Sequence, residues 1–175
     1  MISIERYHQM IDLGVFDEWK VELLDGVLVE KMSKSELHLF VVDLLMELLL
    51  DFTRGSQFWV RKKDPITMER SELEPDVSVV KGSRSQFRHA KPRTAQLVIE
   101  VAISSLSIDR AKAIEYAKAG IAEYWIVQPE ARQTEVYRFP TGERFTKSII
   151  VPAESILESS ALPGFSFLLE KALAD

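Results

Sequence analysis

The sequence predicts a mixed α/β fold, with a central mixed β-sheet, helices packed on it and additional β-hairpins. Three observations carry that prediction: short runs rich in Val, Ile and aromatic residues, a long helically periodic segment after Ser35, and the chain order helix, hairpin, helix, strands, helix, strand.

The elements follow in order. Ser3 can cap an amphipathic helix that runs to about Leu13, where Gly14 and Asp17 break the pattern. Strands at 21–24 and 27–31 flank Asp25-Gly26, a dipeptide that readily takes the positive backbone angles of a tight hairpin turn. From Ser35 to about Phe52 the apolar residues keep a helical period, and Glu36, Asp43, Glu47 and Asp51 line one face. Strands are expected at 57–61, 65–68, 77–80 and 97–101, then a helix at 107–119 stopped by Gly120. A strand at 124–127 follows, then a hairpin of 134–138 and 145–151 around Pro140-Thr141-Gly142. Leu162-Pro163-Gly164-Phe165 reads as a turn before a last short strand.

Composition bounds the function. With 175 residues and 46% hydrophobic content the chain can build one sizeable core, so a single domain over 1–175 is expected. The absence of cysteine excludes thiol chemistry and Cys-held zinc, which leaves oxygen and histidine as metal donors. The first residues lack the pattern of a secretory signal, and the apolar stretch 44–50 is short and broken by Glu47. A cytoplasmic protein with no membrane partner and no organic cofactor is the expectation. A net charge of −5 argues against a general nucleic-acid coat, yet no Asp or Glu occurs between Val77 and Ile99, where Lys81, Arg84, Arg88, Lys91 and Arg93 cluster with His89.

Three positions point to chemistry: Asp76 after Pro75, Glu100 inside Leu97-Val98-Ile99-Glu100-Val101, and Lys112 on the next helix. A carboxylate in the middle of an apolar strand loses its hydration, at a cost of several kcal/mol unless a cation or donors replace the water. A divalent metal, held with a second carboxylate, is one such compensator, and a buried ion pair is another. Asp76 alone reads as a turn residue at a strand entrance. Lys112 recurs with Asp109, Glu115 and Lys118 every three residues, the pattern of a solvated helix face. His38 lies opposite the acidic stripe of its helix and points inward, either as a core histidine or as a site residue. Glu22 is either the outward member of an alternating strand or an inward acid. Arg61-Lys62-Lys63 reads as a solvated turn that could also meet phosphate.

Together these stretches resemble a known family. Pro75-Asp76 followed by Glu100 in a hydrophobic strand resembles the PD-(D/E)XK nuclease superfamily, and within it the Uma-type restriction endonucleases. The resemblance runs through ELLDG at 22–26, His38, PDVSVV from Pro75, VIEVAISSLSIDRAKAIEYAKAGIAEYWIV from Val98, and LPGF from Leu162. It implies a restriction-endonuclease-like core and a Mg²⁺-dependent endonuclease acting on DNA as a homodimer, with Mn²⁺ as a substitute. A catalytically inactive nuclease-like module that binds nucleic acid or protein is the alternative. Residue by residue, it implies Asp76 and Glu100 as catalytic metal-binding carboxylates, Glu22 as an additional metal acid, and His38 and Tyr116 as site lining. The superfamily's lysine two residues after the second acid is replaced here by Ala102, and the resemblance puts it at Lys112 instead. Arg61, Lys62, Lys81, Arg84, Arg88, Lys91 and Arg93 are then expected to grip the nucleic acid.

Overall fold

The computed structural model describes residues 1–174. Helix α1 (Ile4–Asp12) starts at Ser3, whose Oγ accepts from the Arg6 N–H at 3.2 Å. Strands β1 (Val21–Leu24) and β2 (Val27–Glu30) form the expected hairpin, with Asp25 and Gly26 at φ 46° and 74°. Helix α2 (Glu36–Thr53) is capped by Ser35, and its inward face carries His38, Val41, Val42, Leu45 and Leu49. Strands β3 (Phe58–Lys62), β4 (Ile66–Thr67), β5 (Glu72–Leu73) and β6 (Val77–Lys81) follow. A short 3₁₀ turn at Arg84–Phe87 leads toward β7 (Leu97–Val101). Helix α3 (Leu106–Lys118) joins β7 to β8 (Glu123–Gln128). The long hairpin of β9 (Gln133–Thr141) and β10 (Arg144–Pro152) is succeeded by β11 (Leu157–Glu158), β12 (Ser166–Phe167) and the one-turn helix α4 (Leu169–Ala172). Strands β5 and β11 and helix α4 have no clear sequence signal, because elements this short show no period.

The principal sheet has six strands in the order β10-β9-β8-β7-β6-β3. Its one parallel pair is β7 with β8, which α3 connects as a crossover helix; every other neighbour is antiparallel. A smaller sheet, β2-β1-β5-β4, stands beside it. The two faces of the principal sheet bury different cores. Leu97, Ile99, Val101, Trp125 and Val127 pack with α2 and the C-terminal segment. Val98, Tyr124 and Ile126 pack instead with Tyr116 of α3 and with Ile66 and Leu73 of the small sheet. Strand alternation therefore turns Glu100 to the same face as Val98, toward α3. Among the described residues no helix is long and apolar enough to cross a membrane.

Candidate active site

The antiparallel register decides which carboxylates meet. Val77 pairs with Ile99, so Asp76, one step before β6 proper, falls beside Glu100 of β7. Both side chains are almost wholly buried, at 2% and 3% exposure. The Asp76 N–H donates to Glu100 Oε2 at 3.2 Å, and the Val101 N–H donates to Asp76 Oδ2 at 2.9 Å. Glu100 is thus locked to the Asp76 backbone, and Asp76 to the backbone of Val101.

Two helices and the small sheet complete the cluster. From α3, Lys112 Nζ donates to Glu100 Oε1 at 2.8 Å and stands 3.2 Å from Glu22 Oε2 and 3.4 Å from Asp109 Oδ1. Tyr116, one turn further along α3, donates its hydroxyl to the same Glu100 Oε1 at 3.1 Å. From α2, His38 Nε2 lies 2.8 Å from Asp76 Oδ2, and Lys34, just before the helix cap, brings its Nζ to Asp76 Oδ1 at 3.2 Å. From β1, Glu22 accepts the Glu74 N–H at 2.7 Å. Lys63, at φ 51°, donates its backbone N–H toward the carbonyls of Pro75 and Asp76, which ties a strained turn to the site's edge.

The periodic charges of α3 are not a solvated face. Asp109, Lys112 and Glu115 are all buried, because that side of the helix turns toward the cleft and the small sheet; only Lys118 reaches solvent appreciably. Spacing alone cannot separate a wet charged stripe from a buried network of opposite charges.

Electrostatics divides the acids by role. Burial pushes the Glu100 carboxyl up to about 8; the Lys112 charge pulls against that shift, whereas Asp109, Asp76 and Glu22 add to it. Burial would also raise Asp76, but the His38 hydrogen bond, the charges of Lys34 and His38 and the Val101 N–H outweigh it and hold the carboxyl at about 2. Burial disfavours the Lys112 ammonium, yet Glu100, Glu22 and Asp109 more than restore it and raise Lys112 well above its ordinary value. The ammonium stays charged, and Glu100 is the acid that yields its charge first.

These carboxylates border an open cleft of about 1260 Å³. Besides Lys112, four lysines line it: Lys20, Lys31, Lys34 and Lys63. Of the basic residues singled out from sequence for the nucleic acid, Arg61, Lys62, Lys81, Arg84, Arg88, Lys91 and Arg93 do not, whereas Lys63 of the Arg61-Lys62-Lys63 run does. Arg61 is buried, donating to the Pro65 carbonyl at 3.1 Å and lying over the Trp59 ring at 5.1 Å. Lys62 pairs with Asp43, and Lys91 with Glu72 at 2.6 Å. Lys81 closes β6 at the end opposite Asp76, roughly 16 Å away at the rise of an extended strand, and Arg84 and Arg88 line a separate groove with Trp59 and Phe87. Arg93 is exposed and does not line the cleft. An acid-free run in sequence marks a charge bias, and here none of its Lys and Arg side chains lines the cleft.

The family pattern that matches residues 4–170 is Uma2, described as "Putative restriction endonuclease". The chain belongs to the Uma2 family. The crystal structure of a "putative nuclease belonging to DUF820" from Anabaena variabilis is similar to this Uma2 chain with a TM-score of 0.80, over 99% of this chain and 98% of that one, at 13% identity. At that identity the likeness shows a shared fold. None of the curated proteins compared with the Uma2 chain matches it.

The residues present suit a hard divalent cation. Among the described residues no three His, Asp or Glu side chains already form a cage; the acids are gathered around the Lys112 ammonium instead. Mg²⁺ is usually held by one or two carboxylates with water and substrate oxygens, and adjacent Asp76 and Glu100 offer that set. Glu100, raised chiefly by burial and further by Asp109, Asp76 and Glu22, is a carboxyl whose ionised form a nearby divalent ion would favour.

Proposed function

We propose that the chain is a metal-dependent nuclease that hydrolyses phosphodiester bonds, with DNA as the substrate. The observation that carries this reading is the bonded chain Asp76–Glu100–Lys112 bordering a lysine-lined cleft. Membership of a family described as restriction endonucleases supports it.

Asp76 and Glu100 would hold the cation, with Glu22, 3.2 Å from Lys112 Nζ, as a further acid of the cluster. When bound, Mg²⁺ or Mn²⁺ supplies Lewis acidity to a phosphate oxygen and acidity to a coordinated water. Lys112 orients the attacking water or offsets the negative charge that grows on phosphorus as the water oxygen bonds to it and the bond to the leaving oxygen breaks. His38 fixes the Asp76 carboxylate from behind, and Tyr116 fixes Glu100, so both acids keep one orientation. Lys20 and Lys63 at the cleft supply sequence-independent attraction for the backbone. One such site nicks one strand; cutting both strands of a duplex at one place takes two sites, which a two-fold homodimer would present.

The test is an assay on plasmid, linear and single-stranded DNA with Mg²⁺ or Mn²⁺, alongside Asp76→Ala and Lys112→Ala. Cleavage that requires the metal and disappears in both variants supports the reading. Cleavage that survives both overturns it.

A further inference from the structure

The cleft has a second wall that the hydrolytic chemistry leaves unused. Trp19 lines it at 69% exposure, beside Phe16 and Met32, and immediately before Lys20. An indole offers a large flat apolar face with a polar edge, suited to a contact whose other side stays wet. Its position is built from beneath: the Trp19 N–H donates to the Phe16 carbonyl at 3.0 Å, and the Phe16 ring packs on Tyr7 at 5.8 Å between centroids. Tyr7 is itself buried and donates its hydroxyl to the Val21 carbonyl at 3.1 Å. On the other side, the Lys31 N–H donates to the Lys20 carbonyl at 2.7 Å, which pins the segment to the small sheet. The backbone that carries Trp19 is therefore a braced turn, so that binding need order little main chain.

We infer that Trp19 is a stacking platform for a nucleobase, and that the cleft takes an unpaired strand of nucleic acid whose bases turn onto this wall while its phosphates pass the lysines. The inference rests on the hydrolytic reading for its choice of ligand and names the form of substrate which that site accepts.

Three features favour a single strand. An aromatic face that shares the cleft with Lys20 and Lys63 is the combination by which strands are held without base pairing: cations for the backbone, a ring for the base; Lys31 and Lys34 pair with Glu74 and Asp76. The acids lie deep, at 5% exposure or less for Glu22, Asp76 and Glu100, so the scissile phosphate must descend into a concavity. A duplex is stiff over about 150 base pairs and keeps its bases stacked inside, whereas a single strand bends freely and offers its ring faces.

The test follows tryptophan emission of the native chain, without divalent metal, as short oligo-dT is added, and compares the affinity with that for a blunt duplex of the same length. Quenching by the single strand, tighter binding to it than to the duplex, and about 10- to 100-fold weaker binding in Trp19→Ala are expected. Trp19→Phe, which keeps a ring, should retain most of the affinity, and the exposure of Trp19 leaves the fold and its melting temperature unchanged. Equal single-strand affinity in Trp19→Ala, or preference for the duplex, overturns the inference. Asp76→Ala separates the two readings, since it should keep oligo-dT binding that depends on Trp19 yet cleave nothing. If Asp76→Ala loses cleavage while Trp19→Ala binds normally, the hydrolytic reading stands and the stacking inference falls. If the native chain never cleaves but its strand binding depends on Trp19, the outcome is reversed.

Discussion

Lys112 donates to Glu100 Oε1 at 2.8 Å, although one sits mid-helix in α3 and the other mid-strand in β7. Because α3 leaves β7 and returns antiparallel over the sheet face, its second turn passes above the end of the strand it has just left. A short crossover thereby brings the ammonium to the carboxylate without any long-range excursion of the chain.

Removal of that ammonium leaves Glu22, Glu100 and Asp109 without their shared partner. Lys112→Met is expected to lower the cleavage rate by about 10²- to 10³-fold, the usual effect of losing one group that stabilises developing charge. The loss of stability should fall short of the roughly 3–5 kcal/mol typical of an orphaned buried charge, since Glu100 can take up a proton. Single-turnover kinetics and thermal melts below and above pH 8 check both parts; the melting temperature should drop more at the higher pH.

The acid that binds a proton more tightly in the folded chain gives stability a defined slope with pH. Glu100 rises from 4.5 to about 8 on folding, so its contribution is fully present below 4.5 and is lost as pH rises through about 8. Without divalent metal, the melting temperature is expected to fall over that window, and Glu100→Gln should flatten the slope. Metal binding must displace the same proton, so Mg²⁺ or Mn²⁺ affinity measured by calorimetry should strengthen with pH over that range and be lost in Asp76→Ala.

The lysines at the cleft, and not the arginines of the acid-free run, should set nucleic-acid affinity. Lys20→Ala and Lys63→Ala are each expected to weaken binding and to reduce the slope of log affinity against log salt by about 1. Arg84→Ala and Arg88→Ala, which line the groove with Trp59, should leave both quantities unchanged. Binding titrations across a salt series decide the matter.

Glu123 offers a control for stability without chemistry. This wholly buried carboxylate at the start of β8 accepts from Trp125 Nε1 at 2.9 Å, Arg138 Nε at 2.8 Å, Ser159 Oγ at 2.8 Å and the Ala161 N–H at 2.9 Å. Burial would raise its pKa, but the Ala161 N–H and the other donors outweigh burial and lower it. Its contribution is therefore present above the ordinary value of 4.5 and is lost as pH falls through the lowered one. Glu123→Gln is expected to cost about 2 kcal/mol, on the scale of hydrogen bonds to a charged group, in denaturant melts near neutrality, with cleavage unaffected below the melting range.

Most of the architecture was legible in the sequence because its signals are local. Ser3 and Ser35 announce helix starts, Asp25-Gly26 a hairpin, and the run around Glu100 a buried strand with one misplaced charge. The inward turn of His38 followed from helical periodicity alone. The resemblance carried by PDVSVV and the EYAKAG block then tied Asp76, Glu100 and Lys112 together, against the spacing of charges on α3 that made Lys112 look solvated. Register, crossover and the placement of the small sheet decided the rest: that Asp76 lies beside Glu100, that Glu22 faces the same ammonium, and that Trp19 with four lysines walls the cleft while Arg84 and Arg88 do not. A sequence specifies which residues turn inward through periods of two and 3.6, whereas which inward residues meet depends on contacts between elements far apart in the chain, and those exist only once the sheet has closed on its helices.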